Sequence, residues 1–289
     1  MEALFLKGIY LLSDHHKLDK AFELFRMHYR QNKWDEAEQV ADYMNDLAHN
    51  LYQEQLQRSA DGMNFTLQTK RPLVFYYAYS YLGKAIVYQE KRLFDQAREY
   101  IIKYAEMGWF NGLDDEGIEE VERFRFFAKA NLFAVDLLSG KKEVLDEYVH
   151  FIRENGEELL PGLIVITEAA NHHHWDVNHI LNEFSQQFDD FSSYEDMGNR
   201  VYYTKLLYQL VVYYFKQNKY SIALNYILEF LSFSSNMEAD NELKVVMALF
   251  EEYRAFASEE QQNQFKTIIK GVLSNEKNDY FSCYGVNVS

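Results

Sequence analysis

The sequence predicts an all-α protein of antiparallel helix pairs stacked as a solenoid, and three observations carry that expectation. Breakers are scarce: 289 residues hold only 2 Pro and 12 Gly, too few to punctuate many short strands and turns. Apolar residues recur at three- and four-residue spacing along almost the whole chain, which is the period of an amphipathic helix. The joints between these stretches also rhyme. "KLDKA" (17–21), "KWDEA" (33–37), "LFDQA" (93–97) and "KYSIA" (219–223) each place a large apolar residue before a helix, then Asp or Ser at or near the cap, then Ala on the inner face. The capping oxygen would accept a backbone N–H, and the Ala would let two helices approach closely.

The periodicity predicts helices over 2–13, 17–31, 34–58, 73–90, 93–107, 115–138, 141–154, 157–171, 176–188, 194–217, 220–234, 239–256 and 259–273. "SDHHKLD" reads as the first joint, and "SADGMN" (59–64) with Pro72 brackets the longest loop. "GWFNGLDDEG" (108–117) runs into an acidic helix start, where carboxylates favour the positive end of the helix dipole. "SGKK" (139–142) and "SSNMEADN" (234–241) are further joints. No linker is long or polar enough to mark a domain boundary. Residues 1–275 are therefore expected to form a single helical repeat domain, followed by a non-helical, aromatic tail over 276–289. The tail frays, folds back on the last helix pair, or occupies a groove as an internal mimic of a ligand.

Spacing extends the repeat backward from each joint. Ala85, Tyr88, Ala97 and Ile101 are separated by three, nine and four residues, and Val211, Tyr214, Ala223 and Ile227 repeat those intervals. Gly8, Leu11, Ala21 and Phe25 follow them with one extra residue in the turn. Small-then-aromatic on one helix and Ala-then-large on the next suits the crossing of an antiparallel pair. In this the chain resembles tetratricopeptide repeats of about 34 residues. The resemblance is best over 73–107 and 201–234, then over 1–31; between 115 and 190 helix pairs continue without the signature residues. The fold that it implies is a right-handed superhelical solenoid of antiparallel helix pairs.

Composition narrows the function classes. Lys and Arg number 29 against 45 Asp and Glu, a formal net charge of −16. No Lys/Arg stripe stands ready to replace phosphate counterions, which excludes direct nucleic-acid contact by this chain. An acidic surface suits solubility or a cationic partner. Cys283 is the one cysteine, so no intramolecular disulfide forms, in keeping with a reducing compartment. The opening "MEALFLKGIYLL" has no basic leader or small-residue cleavage site and is interrupted by Lys7. No run of about 18 apolar residues offers a membrane span, and the cytoplasm is the expected location.

"ANHHHWDVNH" (170–179) is the stretch most suggestive of chemistry. A helix-borne zinc site needs ligands one turn apart on one face. His172, His173 and His174 are consecutive and point different ways, while Trp175 stands one turn before His179. Asp176 reads as the cap of a helix that buries Val177, Ile180, Leu181 and Phe184 and leaves His179 outside. The stretch is therefore expected to be a polar helix–helix joint, like that of His15 and His16. No phosphate loop, nucleophile elbow or dinucleotide fingerprint is present, and Cys283 has no base near it in sequence. Asp114–Asp115 and Glu119–Glu120 read as a solvated acidic helix face. No catalytic residue, metal or cofactor is expected.

A stack of helix pairs presents a concave face for an extended peptide or a partner helix. Asn side chains there could satisfy both N–H and C=O of a peptide backbone. The candidate peptide-binding residues are Asn131, Asn171, Asn199, Arg200, Tyr203 and Tyr208, with Tyr77 and Tyr81 as further apolar walls. The "KG-Y-L" opening and "YFKQNKYSIALNYI" (214–227) resemble the sensor half of Gram-positive peptide-pheromone regulators of the Rap, PlcR and NprR kind. That resemblance implies binding of a short peptide and regulation of transcription or signalling in quorum sensing. In those regulators a DNA-binding domain or small helical bundle carries the output. This chain opens directly on a repeat-like helix, so it is either the sensing part of a longer regulator or acts without such a module. The expected partner is a short peptide or a protein, with a homodimer also allowed. A constitutive interaction scaffold or oligomerisation module is the alternative, and a metal-dependent enzyme centred on His172–His174 ranks third.

Overall fold

The computed structural model describes residues 14–63, 67–194, 196–234 and 240–283; residues 14, 15, 189, 197, 240, 241 and 272–283 are described by their backbone alone. Every regular element among the described residues is helical. The helices are α1 (Asp14–Arg30), α2 (Trp34–Ala60), α3 (Leu73–Glu90), α4 (Phe94–Ala105), α5 (Asp115–Leu138), α6 (Leu145–Glu154), α7 (Leu159–His173), α8 (Asn178–Glu183), α9 (Gln187–Ser192), α10 (Met197–Lys216), α11 (Tyr220–Ser234), α12 (Asp240–Glu252) and α13 (Glu259–Cys283). No described helix is long and apolar enough to cross a membrane. The expected helix over 2–13, with Gly8 and Leu11, the centre of the 234–241 joint and the residues after Cys283 lie outside the described residues.

The chain divides into two compact units, Met1–Ser139 and Gly140–Ser289, within the "SGKK" joint. In the first, each helix from α1 to α5 packs on the next, and the alternate helices α1 with α3 and α3 with α5 also touch. Small residues permit the crossings. Ala21, Ala37 and Ala97 are fully buried. Gly83 lies so near α1 that a Cβ there would stand 2.8 Å from the Phe25 ring. In the second unit α6 packs on α7, α7 on α10, and α10 on α11; α11 packs on α12 and α13, and α10 also touches α12. Val211, Ala223 and Ile227 are fully buried there, and a Cβ at Gly162 would meet Ile152 at 2.5 Å. Pro161 falls in the first turn of α7, where its missing N–H has no helical partner to lose.

Four joints share one closure. Asn32, Arg92, His174 and Asn218 are left-handed, with φ of 55 to 58°. In each case the following N–H reaches back five residues: Lys33 to His28 (3.0 Å), Leu93 to Tyr88 (2.8 Å), Trp175 to Ala170 (3.1 Å) and Lys219 to Tyr214 (3.0 Å). This six-to-one bond satisfies carbonyls that a helix end leaves open. It also corrects the expected caps. Lys33 and Leu93, directly after the left-handed residue, occupy the cap positions of α2 and α4 and make no side-chain cap bond. Asp35 and Asp95 therefore fall in the first turn, where a carboxylate favours the dipole without capping. Asp35 pairs instead with Lys91 at 2.6 Å. "KLDKA" is no joint, because α1 already begins at Asp14.

Two further expectations are corrected. The helix expected over 176–188 is broken between α8 and α9, where the Ser185 hydroxyl donates to the Asn182 carbonyl at 2.8 Å, a local bond that competes with helix continuation. The tail is helical as far as Cys283. No Gly or Pro interrupts "NEKNDYFSC", so the helix propagates through it.

Burial and then the neighbouring Glu157 push the Glu158 carboxyl above its ordinary range. Glu158 in turn adds to the burial that raises the Tyr148 hydroxyl. A raised carboxyl favours folding when protonated. Its contribution is complete below the unfolded value and disappears as pH rises through the folded one. Glu158→Gln is therefore expected to be more stable than the parent in urea titrations at pH 7, with the advantage shrinking as pH falls through the raised folded value and gone below about pH 4.3. Gly83→Ala and Gly162→Ala are each expected to cost about 1–3 kcal/mol by overpacking, measured as a lower urea midpoint.

Candidate ligand-binding face

Helical spacing gives α3 two different sides. Tyr77 and Tyr81 point toward α2 and α4: the Tyr77 hydroxyl lies 3.0 Å from His49 Nδ1, and Tyr81 packs 6.1 Å from the Tyr100 ring. Phe75 and Tyr79 point the other way, toward α1 and α5. Phe22 of α1 meets Phe75 at 5.3 Å and Tyr79 at 4.6 Å, both edge-on. Phe75 then meets Phe124 of α5 at 5.9 Å, and Phe124 meets Phe127 at 6.1 Å. Phe22, Tyr79 and Phe127 remain half-buried, so an aromatic strip crosses three alternate helices and keeps its rim open. Two guanidiniums cover it: Arg26 lies 5.6 Å from the Phe22 ring centre and Arg71 lies 5.5 Å from that of Phe75, within cation–π range.

At the end of the strip Glu120 is buried. Its Oε1 accepts from Arg71 Nη1 at 3.2 Å and from Arg123 Nη1 at 2.9 Å, while Oε2 has no hydrogen-bond partner. The two arginine side chains stay 48% and 45% exposed. Sequence places Arg71 there. Pro72 caps α3 in an extended conformation, and a residue before proline is held out of the helical region. The Thr69 hydroxyl donates to the Arg71 carbonyl at 2.7 Å. Lys70 anchors the same loop to α1, with its N–H 3.2 Å from Asp19 Oδ1 and its ammonium 3.2 Å from Glu23. Asp19 also accepts from the Tyr76 hydroxyl, which burial and then Asp19 push upward. Lys20 and then Lys70 hold Glu23 below the usual carboxylate range.

Glu119 and Glu120 thus differ, although both were expected on a solvated face. Glu119 is exposed, whereas Glu120 falls on the stripe of Gly117, Val121 and Phe124 that α5 buries. A carboxylate in register with that stripe was the signal available in sequence. Asp114 caps α5 by accepting from the Gly117 N–H at 2.9 Å.

The residues expected to bind peptide are spread over both units. Asn131, in the first, donates to the buried Tyr104 hydroxyl at 2.8 Å. In the second, buried Asn171 donates to the backbone and side-chain oxygens of Gln209, both at 2.9 Å. Its own Oδ1 has no hydrogen-bond partner. Asn199 is tied to Asp196, through its N–H and its side-chain amide, each at 2.9 Å. Arg200 donates to the Phe233 carbonyl at 3.0 Å and lies 4.2 Å from that ring. Tyr203 is buried and donates to Glu229. Tyr208 is half-buried, its hydroxyl pushed up by burial and then by Glu242. Asn199, Arg200 and Tyr203 come together at the start of α10, where their polar atoms cap that helix or fasten it to α11.

The histidine stretch forms the end of α7 and the joint after it. His174 is the left-handed residue. His173 stacks on Trp175 at 5.0 Å, and the Lys142 ammonium lies 5.8 Å from the Trp175 ring centre. Asp176 accepts from the Asn178 N–H at 2.9 Å, and that bond leads the causes holding its carboxyl below the ordinary range. Val177, Ile180, Leu181 and Phe184 are buried and His179 is exposed, as the spacing indicated. Among the described residues no three His, Cys, Asp or Glu side chains converge in a way that could hold a metal ion.

No family model, curated protein or solved structure matches the chain. The histidine joint is open to a direct test. A left-handed position favours glycine over a residue with a Cβ. His174→Gly is expected to raise stability by up to about 1 kcal/mol, seen as a higher melting temperature with or without Zn²⁺. A lower one would show that the imidazole itself is used there.

Proposed function

We propose that the chain is a non-enzymatic, tetratricopeptide-like binding module, the peptide-sensing domain of a cytoplasmic transcriptional or signalling regulator. The observation that carries this reading is the contact between alternate helices in the first unit, α1 with α3 and α3 with α5. In a solenoid of helix pairs the first helix of each pair lines the concave face. Here those helices bear Phe22, Tyr79 and Phe127 half-buried beside Arg26 and Arg123, with Arg71 in the loop before α3. Half-buried aromatics offer apolar area with little side-chain entropy to lose, and arginine offers directional donors. The shared closure of four joints supports a repeated unit, and the resemblance to quorum-sensing regulators of the Rap, PlcR and NprR kind supplies the functional analogy.

A constitutive scaffold or homodimer is the second reading. It is favoured by the cluster of Phe215, Tyr220, Tyr253 and Phe256, whose rings lie 4.5 to 4.9 Å apart along the chain Phe215–Tyr253–Tyr220–Phe256, with Phe256 exposed.

A thermal-shift comparison separates the readings: the chain alone, with Zn²⁺, and with pooled short peptides. A ligand that binds only the folded state raises the melting temperature by mass action, roughly 5 °C at a hundredfold excess over Kd. The expected outcome is a rise with peptides and none with zinc. A rise with zinc alone would sink the peptide reading. Silence to both, with a dimer in light scattering, would replace it with the scaffold.

A further inference from the structure

We propose that Arg71, Glu120 and Arg123 form a receptor for a free carboxylate, and that its occupant is the C-terminal end of an extended peptide lying on the Phe22–Phe75–Tyr79 strip. The inference rests on the peptide-binding reading above and names the chemistry that it recognises.

One buried carboxylate holds two guanidiniums side by side by a single oxygen. Each guanidinium spends one of its five N–H donors on that oxygen, and about half of each side chain stays exposed. Glu120 is the one carboxylate paired with either arginine among the described residues. Two cations against one anion give these three side chains together a charge of +1, in a chain of net charge −16. The excess matches a monoanion. A phosphate dianion would need a further cation, and the nearest lysine in the loop, Lys70, is already committed to Glu23. Planar forks match a planar carboxylate in bidentate fashion. Glu120 fixes both forks before the ligand arrives, so less entropy is lost on binding.

The neighbouring surface selects a peptide terminus over a small free acid. Arg71 stacks on Phe75, and Phe75 continues into Phe22 and Tyr79. A terminal carboxylate seated between the arginines places the last side chains of the peptide over these rings.

The test uses the full chain and a random hexapeptide library in two forms, with free C-termini and with C-terminal amides. Affinity selection is expected to retain the free acids and to lose the amides. For any retained free acid, Arg71→Gln and Arg123→Gln should each weaken binding about ten- to hundredfold, as expected for a lost charge-assisted bond. Arg71→Lys with Arg123→Lys, which keeps the charge but not the forks, should also weaken it. Arg125→Gln should leave affinity unchanged, because Arg125 pairs with Glu122 elsewhere on α5. Melting curves of each variant separate lost binding from lost folding.

Retention of free acids and amides alike would overturn the carboxylate site while leaving peptide binding intact. Retention of neither would overturn both. Undiminished binding by the double lysine variant would reduce the site to diffuse charge attraction. Selection of amidated peptides carrying Asp or Glu would assign the site to an acidic side chain instead of the terminus. Competition by inorganic phosphate at the affinity of the free acids would assign it to phosphate.

Discussion

The first unit depends on how closely α1 and α3 can approach. Gly83 has no side chain, and the Phe25 ring occupies the space that one would fill. This brings Phe22 within edge-on reach of both Phe75 and Tyr79. Aromatic pairs at such separations add to the burial that each ring already provides. A wider crossing would open a gap between α1 and α3, and the strip over three helices would become isolated rings. Packing and the candidate face are therefore one arrangement, set by a residue that carries no side chain.

The burial of Glu120 runs against the economy of a helical core. Removing a carboxylate from water costs several kcal/mol after relaxation, and here one of its two oxygens remains without a partner. Arg71 and Arg123 offset part of that cost through the other oxygen. An apolar residue at position 120 would pack with Val121 and Phe124 without any such penalty. Departures of this kind from local consistency are expected where a structure serves something other than its own stability. The same argument applies less strongly to Asn171, which satisfies its amide on Gln209 and leaves its oxygen unmatched.

Much of the architecture was legible in sequence because it is local. The ends of α3, α5 and α11 follow from apolar period and turn residues, and the buried alanines of the joints follow from spacing. The joints are closed by a device other than the one their Asp suggests. Asp beside a helix start suggests a cap, yet the left-handed closure that precedes it moves the cap onto Lys33 or Leu93. That closure depends on backbone conformation at Asn32 and Arg92, and Arg92 gives no compositional hint of it. The candidate face was harder still. Asn and Tyr have groups to donate, but whether a donor is free depends on tertiary partners such as Gln209, Tyr104 and Asp196. Tyr77 and Tyr79 differ by two positions and face opposite sides of α3, a distinction that emerges only once the neighbours of α3 are known.

The loop over 67–72 ties α1, α3 and α5 together. Lys70 anchors it to Asp19 and Glu23 of α1, while Arg71 reaches Glu120 of α5. Pro72 fixes the backbone between these anchors and the first turn of α3. Three helices that touch in alternation are therefore also tied at one end by consecutive side chains of a single loop. An anion on the remaining donors of Arg71 would share that guanidinium with Glu120. Any change in that bond falls on a residue whose neighbour grips α1 and whose own ring contact rests on α3. Consecutive side chains of this loop therefore link the candidate face to the packing of α1, α3 and α5.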